Sequence, residues 1–217
     1  MRNMLIKEFR LAASPLSFIF LSFAFMTFIP GYPILCGGFF VCLGIFQSFQ
    51  HSRENGDISY SLLLPISKAD IVKARYLSVI ILEGTALVLM TAVTALRMTV
   101  LSEAAVYVQN VMMPANPVFL SFVLMIFLSF NFLFVGGYFR TAYKFGKPFV
   151  LFAAVSFLLV LLGETLHHIP GLEVLAQLRG EGMWIQYLIL VLSVLLFIIG
   201  SILSCRTSQR RFEKLDF

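Results

Sequence analysis

The sequence has 217 residues, of which 59% are hydrophobic and 12% charged, with a mean hydropathy of +0.93 and a formal net charge of +5. Soluble domains carry about 25% charged residues, so this composition excludes an ordinary soluble domain and requires an integral membrane protein. The 24 Phe residues and the lack of ten-residue segments alternating apolar and polar side chains favour spanning helices over a barrel.

The chain opens with MRNMLIKEFR, in which Met1, Met4, Leu5 and Phe9 recur at helical spacing while Arg2, Lys7 and Arg10 take other faces. No A-x-A-like site closes a short apolar core, so the segment reads as an interfacial helix on an anionic leaflet rather than a cleavable signal. From Leu11 to Ser52 no Asp, Glu, Lys or Arg occurs, a run about twice the roughly 20 residues that one crossing helix needs. Pro30-Gly31-Tyr32-Pro33 divides it, which predicts two spans in a tight hairpin, residues 11–28 and 34–50. Cys36 and Cys42 lie inside this apolar run and Cys205 lies at a span end; they give no disulfide framework.

Residues 54–83 are the most patterned interruption. Asn55-Gly56-Asp57 is a turn signal, and the apolar patch Leu62, Leu63 and Leu64 ends at Pro65. Ser67, with Asp70 three residues on, forms a capping box that satisfies free backbone amides at a helix start. The predicted helix begins at Ser67 and runs through Ile71, Val72 and Arg75 into a third span, residues 76–96. Arg75 and Arg97 frame that span and are about 33 Å apart at about 1.5 Å per helical residue, the thickness of one hydrocarbon core.

Pro114 and Pro117 introduce the fourth span, residues 118–139, which the basic loop Arg140 to Lys147 follows. Residues 149–166 form the fifth span and 184–205 the sixth, with Trp184 as an interfacial anchor. Between them, Leu172, Val174, Leu175 and Leu178 surround Glu173, Gln177 and Arg179, which predicts a short amphipathic helix over residues 171–182 on the outer surface. In this six-span plan 14 of the 16 Lys and Arg residues share one side, and only Arg97 and Arg179 take the other. The positive-inside rule then places both termini in the cytoplasm. Anionic lipid heads answer the net positive charge, and no nucleic-acid partner is needed.

Catalytic patterns are missing. The one Gly-Lys pair, Gly146-Lys147, is followed by Pro148 and lacks the upstream glycine of a phosphate-binding loop. His167-His168 beside Glu164 has no H-E-x-x-H spacing, and adjacent helical positions point about 100° apart. His51 belongs to the other membrane face, so no metal site is expected, and no Ser sits in a G-x-S-x-G setting.

Glu83 is the charged residue well inside a span. It lies roughly 12 Å beyond Arg75 along the helix, where a carboxylate costs up to about 2.5 to 3.5 kcal/mol. Ala86 and Thr94 fall on its side of the helical wheel, but so do Leu87 and Met90, so the cost of the charge is the main reason to turn it inward. Two readings stand side by side: a wall of a transport path or a subunit contact, or a carboxylate that snorkels or pairs with a polar neighbour. Asn131 in the fourth span is the candidate partner.

Leu64-Pro65-Ile66-Ser67-Lys68, followed by Ile71-Val72 and by Lys73-Ala74-Arg75-Tyr76, resembles the loop pattern of small type-2 ABC transporter permeases of Gram-positive bacteria. Members of that kind include exporters of amphipathic peptide toxins and bacteriocins. The resemblance implies a cytoplasmic coupling helix between the second and third spans that docks on a separate ATPase subunit. The docking residues would be Leu63, Leu64, Pro65, Ile66, Ser67, Lys68, Asp70, Ile71 and Val72. It also implies two copies of the permease with two ATPase copies, ATP and Mg being held by the partner and not by this chain, which has no enzymatic activity of its own.

The sequence therefore predicts an all-α integral membrane protein, one permease domain over residues 1–217 in a bacterial cytoplasmic membrane. Its six transmembrane helices are accompanied by an N-terminal interfacial helix and a coupling helix. The expected function is ATP-driven export of an amphipathic or hydrophobic cargo, with Glu83, Ala86, Thr94 and Asn131 as pathway or subunit-contact residues. The alternative is a stand-alone channel, or a scaffold or immunity protein without an ATPase. Abundant Phe suits an amphipathic cargo or an ordinary lipid-facing surface.

Overall fold

Two long rods dominate the computed structural model, which describes residues 2–12, 15–141, 144–166, 168–180 and 182–214. Met1 and His167, singled out in the sequence, lie outside the described residues. The elements in chain order are α1 (Arg2–Lys7), α2 (Pro15–Phe20), α3 (Cys36–Glu54), α4 (Asp57–Leu62), α5 (Lys68–Thr99), α6 (Ala105–Val108), α7 (Pro117–Ser129), α8 (Gly136–Arg140), α9 (Gly146–Leu166) and α10 (Met183–Glu213). Among the described residues there is no strand. The chain is an all-α membrane protein.

By length and composition, four helices can cross a membrane: Lys68–Thr99, Pro117–Arg140, Gly146–Leu166 and Met183–Glu213. A fifth crossing is possible if Asn3–Arg10 and Pro15–Phe28, which lie at 87° to each other, count as one broken span. The predicted second span is α3, whose C-terminal half carries Gln47, Gln50, His51, Arg53 and Glu54. Those polar residues keep it out of that set, although ten of its residues are buried by the rest of the chain. The predicted first span is not one regular helix either, since α2 passes into a 3-10 segment at Leu21–Phe28.

At 32 and 31 residues, α5 and α10 are about 48 and 46 Å long, against about 30 Å of hydrocarbon. Both therefore project beyond the membrane, and their contacts show where. Gln209 Nε2 near the end of α10 donates to Ala69 O at the start of α5, 3.2 Å away. Arg53 at the end of α3 lies over the Phe145 ring just before α9. Arg140, Lys147 and Arg211 line one groove. These contacts draw the predicted basic loops together at one end. At the other end Arg97 is buried, donates to Thr27 O at 2.7 Å and lies 4.2 Å from the centre of the Tyr107 ring. Arg179 pairs there with Ser102 and Glu103.

The phenylalanines are core residues more than lipid-facing ones. Phe119, Phe127, Phe130, Phe134, Phe139, Phe152 and Phe212 are fully buried. The centre of this cluster is Phe134, which contacts Phe46 and Phe49 of α3, Phe149 of α9 and Phe130 one turn away. A π-helical stretch, Phe130–Val135, joins α7 to α8 within the fourth predicted span, and the aromatic ladder lies along it. Aliphatic side chains take the outer surface instead: Leu192, Leu195, Leu196, Ile198, Ile199 and Leu203 of α10 are all about half exposed. Between Gln186 and Phe212 near its two ends, the buried positions of α10 are small and polar: Ser193, Ser201, Ser204 and Ser208. Small residues facing inward let helices approach closely in a solvent where apolar side chains gain nothing from burial.

The amphipathic helix expected at residues 171–182 does not form. One 3-10 turn, Glu173–Ala176, lies between Gly171 and Gly180, both at positive φ. The carbonyls that would have bonded along a helix are taken by side chains: Gln186 Nε2 donates to Val174 O and Gln177 O, and Asn116 Nδ2 donates to Leu175 O. Glu164 is likewise occupied, since its Oε2 accepts the Met113 amide at 2.9 Å.

Candidate functional site

The predicted helix start is present. Ser67 has extended backbone, its hydroxyl oxygen accepts the Asp70 amide at 3.1 Å, and its hydroxyl also lies 2.8 Å from Asp70 Oδ2. From Lys68 the helix runs unbroken to Thr99. Its first turns are packed, however. Ile71 and Val72 are 3% and 0% exposed. Ile71 packs with Met4 of α1 and with Ala74, Leu62 and Ile66. Both residues are therefore core positions of this chain. The same contact removes Met4 from the leaflet surface that the N-terminal pattern suggested.

The loop holds a helix that the sequence reading did not separate. Gly56 at φ +61 ends the turn after α3, as the Asn-Gly pair required, and α4 follows at once. Its exposed positions are Ser59 and Tyr60, the latter 60% exposed, and Leu63, just past its end, is 84% exposed. Pro65 is also exposed, while Leu64, Ile66 and Lys68 are half-buried.

A buried charge cluster ties this short helix to its neighbours. Arg75 on α5 places Nε 3.0 Å from Glu8 Oε2 and Nη2 3.3 Å from Asp57 Oδ2 at the start of α4. Its Nη2 donates to Ser52 Oγ at 2.6 Å, Ser52 donates to Asp57 Oδ2 at 3.1 Å, and the guanidinium lies over the Phe49 ring. Lys7 completes the set with Asp57 Oδ1 at 2.8 Å and Ser61 Oγ at 2.6 Å. Two cations and two anions balance, which is what makes burial of Arg75 and Glu8, with Lys7 and Asp57 half-buried beside them, tolerable. In the sequence Arg75 frames a span and belongs to the loop pattern, with no partner assigned to it. Glu8, Ser52 and Asp57 were missed because nothing in their spacing marks them as partners.

A second polar cluster lies inside the bundle. Glu83 is 0% exposed, and its Oε2 accepts from Asn131 Nδ2 at 2.9 Å. Asn131 also contacts Ser201 Oγ at 3.3 Å, and its backbone oxygen accepts from Ser204 at 2.8 Å and Tyr76 at 3.2 Å. The Tyr76 hydroxyl is 2.9 Å from both Ser204 and Ser208. Three rods, α5, the α7–α8 span and α10, are thereby linked by hydrogen bonds. Glu83 Oε1 and Asn131 Oδ1 are buried without a hydrogen-bond partner among the described residues. Ala86 and Thr94 lie on the same buried stripe of α5, together with Val79, Leu82, Met90, Val93 and Arg97. Thr94 is about 16 Å farther along the helix, so the structure brings Glu83 and Asn131 together and leaves Thr94 apart.

A groove of about 340 Å³ opens between α5 and α10 and reaches Tyr76 and Ser201, two side chains bonded to Asn131. Lys73 and Arg206 stand on its walls. The chain thus combines apolar spanning rods, a buried carboxylate at Glu83 within them and, at the basic end, a short clamped helix beside the exposed Tyr60 and Leu63. A family model described as ABC-2 family transporter protein matches residues 3–208, nearly the whole chain. The chain belongs to the ABC-2 transporter family. As a member it is a membrane permease component of an ABC transporter, a transport subunit and not itself a catalyst, with an ATPase subunit as its implied partner. No curated protein and no solved structure matches the chain.

Proposed function

We propose that this permease component works as an exporter: two copies, driven by two copies of a separate ATPase chain that binds ATP and Mg, move an amphipathic cargo out of the cell. A peptide toxin or antimicrobial peptide is the cargo class carried over from the loop resemblance. The whole chain forms one domain, α3 counts as a sixth span, and both termini face the cytoplasm, in line with the gathering of basic residues at one end.

One observation carries the reading. Two exposed apolar residues, Tyr60 on α4 and Leu63 just past its end, are joined through Asp57 to Arg75 on a spanning helix that continues without a break to Glu83 and beyond. An exposed apolar patch on a loop marks a partner surface, and a continuous helix carries displacement at that surface into the membrane. The Glu83–Asn131 pair then serves as a wall of the path or as a contact with the second copy.

The test is co-expression with a nucleotide-binding chain, sought in the neighbouring reading frame. The tagged permease should retain that chain through purification, and cargo peptide should stimulate its ATP hydrolysis. A permease that retains no ATPase and conducts on its own would establish the channel alternative instead.

A further inference from the structure

The basic end of α10 has a groove on each side. The one toward α5 is described above; the other, of about 380 Å³, opens between α8, α9 and α10. Its rim carries Arg140, Lys147 and Arg211, and its floor includes Phe132, Leu133 and Leu151. All three cations are exposed, and none has a carboxylate within ion-pair distance among the described residues. No Asp or Glu lines the groove. Phe132 and Leu151 are 47% and 53% exposed, so the apolar floor is open rather than filled by the chain's own side chains. A Cβ on Gly137 would stand 2.8 Å from Pro148 Cβ, which shows how closely α8 and α9 converge behind it.

Unneutralised cations over an open apolar floor, at the end of a spanning bundle, call for an anionic amphiphile. Inorganic phosphate would satisfy the rim and leave the floor wet. An uncharged lipid would cover the floor and leave three cations unanswered. Basic pockets between spanning helices suit anionic lipid head groups, and guanidinium groups match phosphate oxygens in pairs. The surrounding leaflet holds such molecules beside the opening. We propose that the groove between α8, α9 and α10 binds an anionic phospholipid, its phosphate held by Arg140, Arg211 and Lys147 and an acyl chain lying on Phe132 and Leu151. This site is independent of the transport reading.

Native mass spectrometry of the full-length chain in detergent tests it, with phosphatidylglycerol and phosphatidylcholine of identical acyl chains. Phosphatidylglycerol should bind the wild-type chain more tightly than phosphatidylcholine. Arg140→Gln with Arg211→Gln should weaken it about 30-fold, as expected for two lost contacts near the surface. Lys73→Gln with Arg206→Gln removes the same charge from the other groove and should change affinity by no more than about twofold on that basis. Arg140→Lys with Arg211→Lys should retain most of the binding, and Lys147→Gln alone should weaken it. Equal affinity for the two lipids, or equal loss in the two Gln pairs, would overturn the assignment. So would displacement of the lipid by glycerol phosphate at equal concentration, which would mark a free-anion site. Loss of ATPase or of a second copy with lipid affinity unchanged would give the face to a protein partner.

Discussion

Arg75 and Glu8 meet at 3.0 Å with their side chains 4% and 1% exposed, so the first turns of the chain are clamped to the root of its longest helix. The same guanidinium reaches Asp57 on α4. Any displacement of α4 therefore acts on α5 and on the N-terminal segment together, through one side chain that cannot relax into water. Arg75→Gln should leave Glu8 and Asp57 short of a cation. Breaking a buried pair from one side costs about 3 to 5 kcal/mol, and Lys7, still 2.8 Å from Asp57, holds the loss near the lower figure. Thermal unfolding in detergent should show a clear fall in midpoint. Arg75→Lys keeps the charge but not the forked donor set and should fall between. A midpoint unchanged in the Gln variant would mean the cluster adds nothing to the fold.

Glu83→Gln tests a different kind of dependence. The amide oxygen of Gln still accepts from Asn131 Nδ2, now 2.9 Å from the carboxylate, so insertion and folding should persist. Export and cargo-stimulated ATP hydrolysis should drop if the charge serves the path or the subunit contact. Transport equal to wild type in a correctly inserted variant would leave Glu83 as a packing residue. Asn131→Ala should be worse for folding, because it also removes the contact to Ser201 and strands a buried carboxylate.

What the sequence made readable was local or periodic. The cap at Ser67 depends on residues three positions apart, and the inward turn of Glu83 follows from the cost of a charge in hydrocarbon; both were accessible from residue order. The Arg75–Glu8–Asp57 cluster joins residues from α5, the N-terminal segment and α4, and no periodicity encodes such pairs. The stretch at residues 171–182 has an amphipathic pattern but not a helix, because Gly171 and Gly180 adopt positive φ and Gln186 and Asn116 capture its carbonyls. Phenylalanine misled in the same way: its hydrophobicity says nothing about which side of a spanning helix it takes, and here the aromatic ladder around Phe134 is internal.

Orientation is open to direct measurement. Asn55, Lys144 and Glu173 are all exposed, so single cysteines there, in a variant lacking Cys36, Cys42 and Cys205, report side rather than burial. Cysteines at Asn55 and Lys144 should resist an impermeant thiol reagent in intact cells and react after lysis, whereas one at Glu173 should react in intact cells. Labelling at Asn55 from outside would reverse the assignment of the basic end to the cytoplasm.

The docking surface can be separated from the fold that supports it. Leu63 at 84% exposure and Tyr60 at 60% are the exposed large apolar residues of the loop among the described residues, while Ile71 and Val72 are buried. Contact with an ATPase should therefore centre on residues 59–66 and not on the first turns of α5. Tyr60→Asp with Leu63→Asp should leave the permease folded and in the membrane, because neither side chain supports the core. In a complex, the same charges would be buried without partners, which is strongly unfavourable. Co-purification of the ATPase and export should both be lost. Ile71→Asp should fail earlier, by charging the contact with Met4 and Ala74, and should reduce the amount of folded permease itself. Ser67→Ala removes only the cap, at a cost of about 0.5 to 2 kcal/mol, and should give a partial defect. Full assembly and export by the Tyr60 and Leu63 double variant would return this loop to the role of a simple connection between α3 and α5.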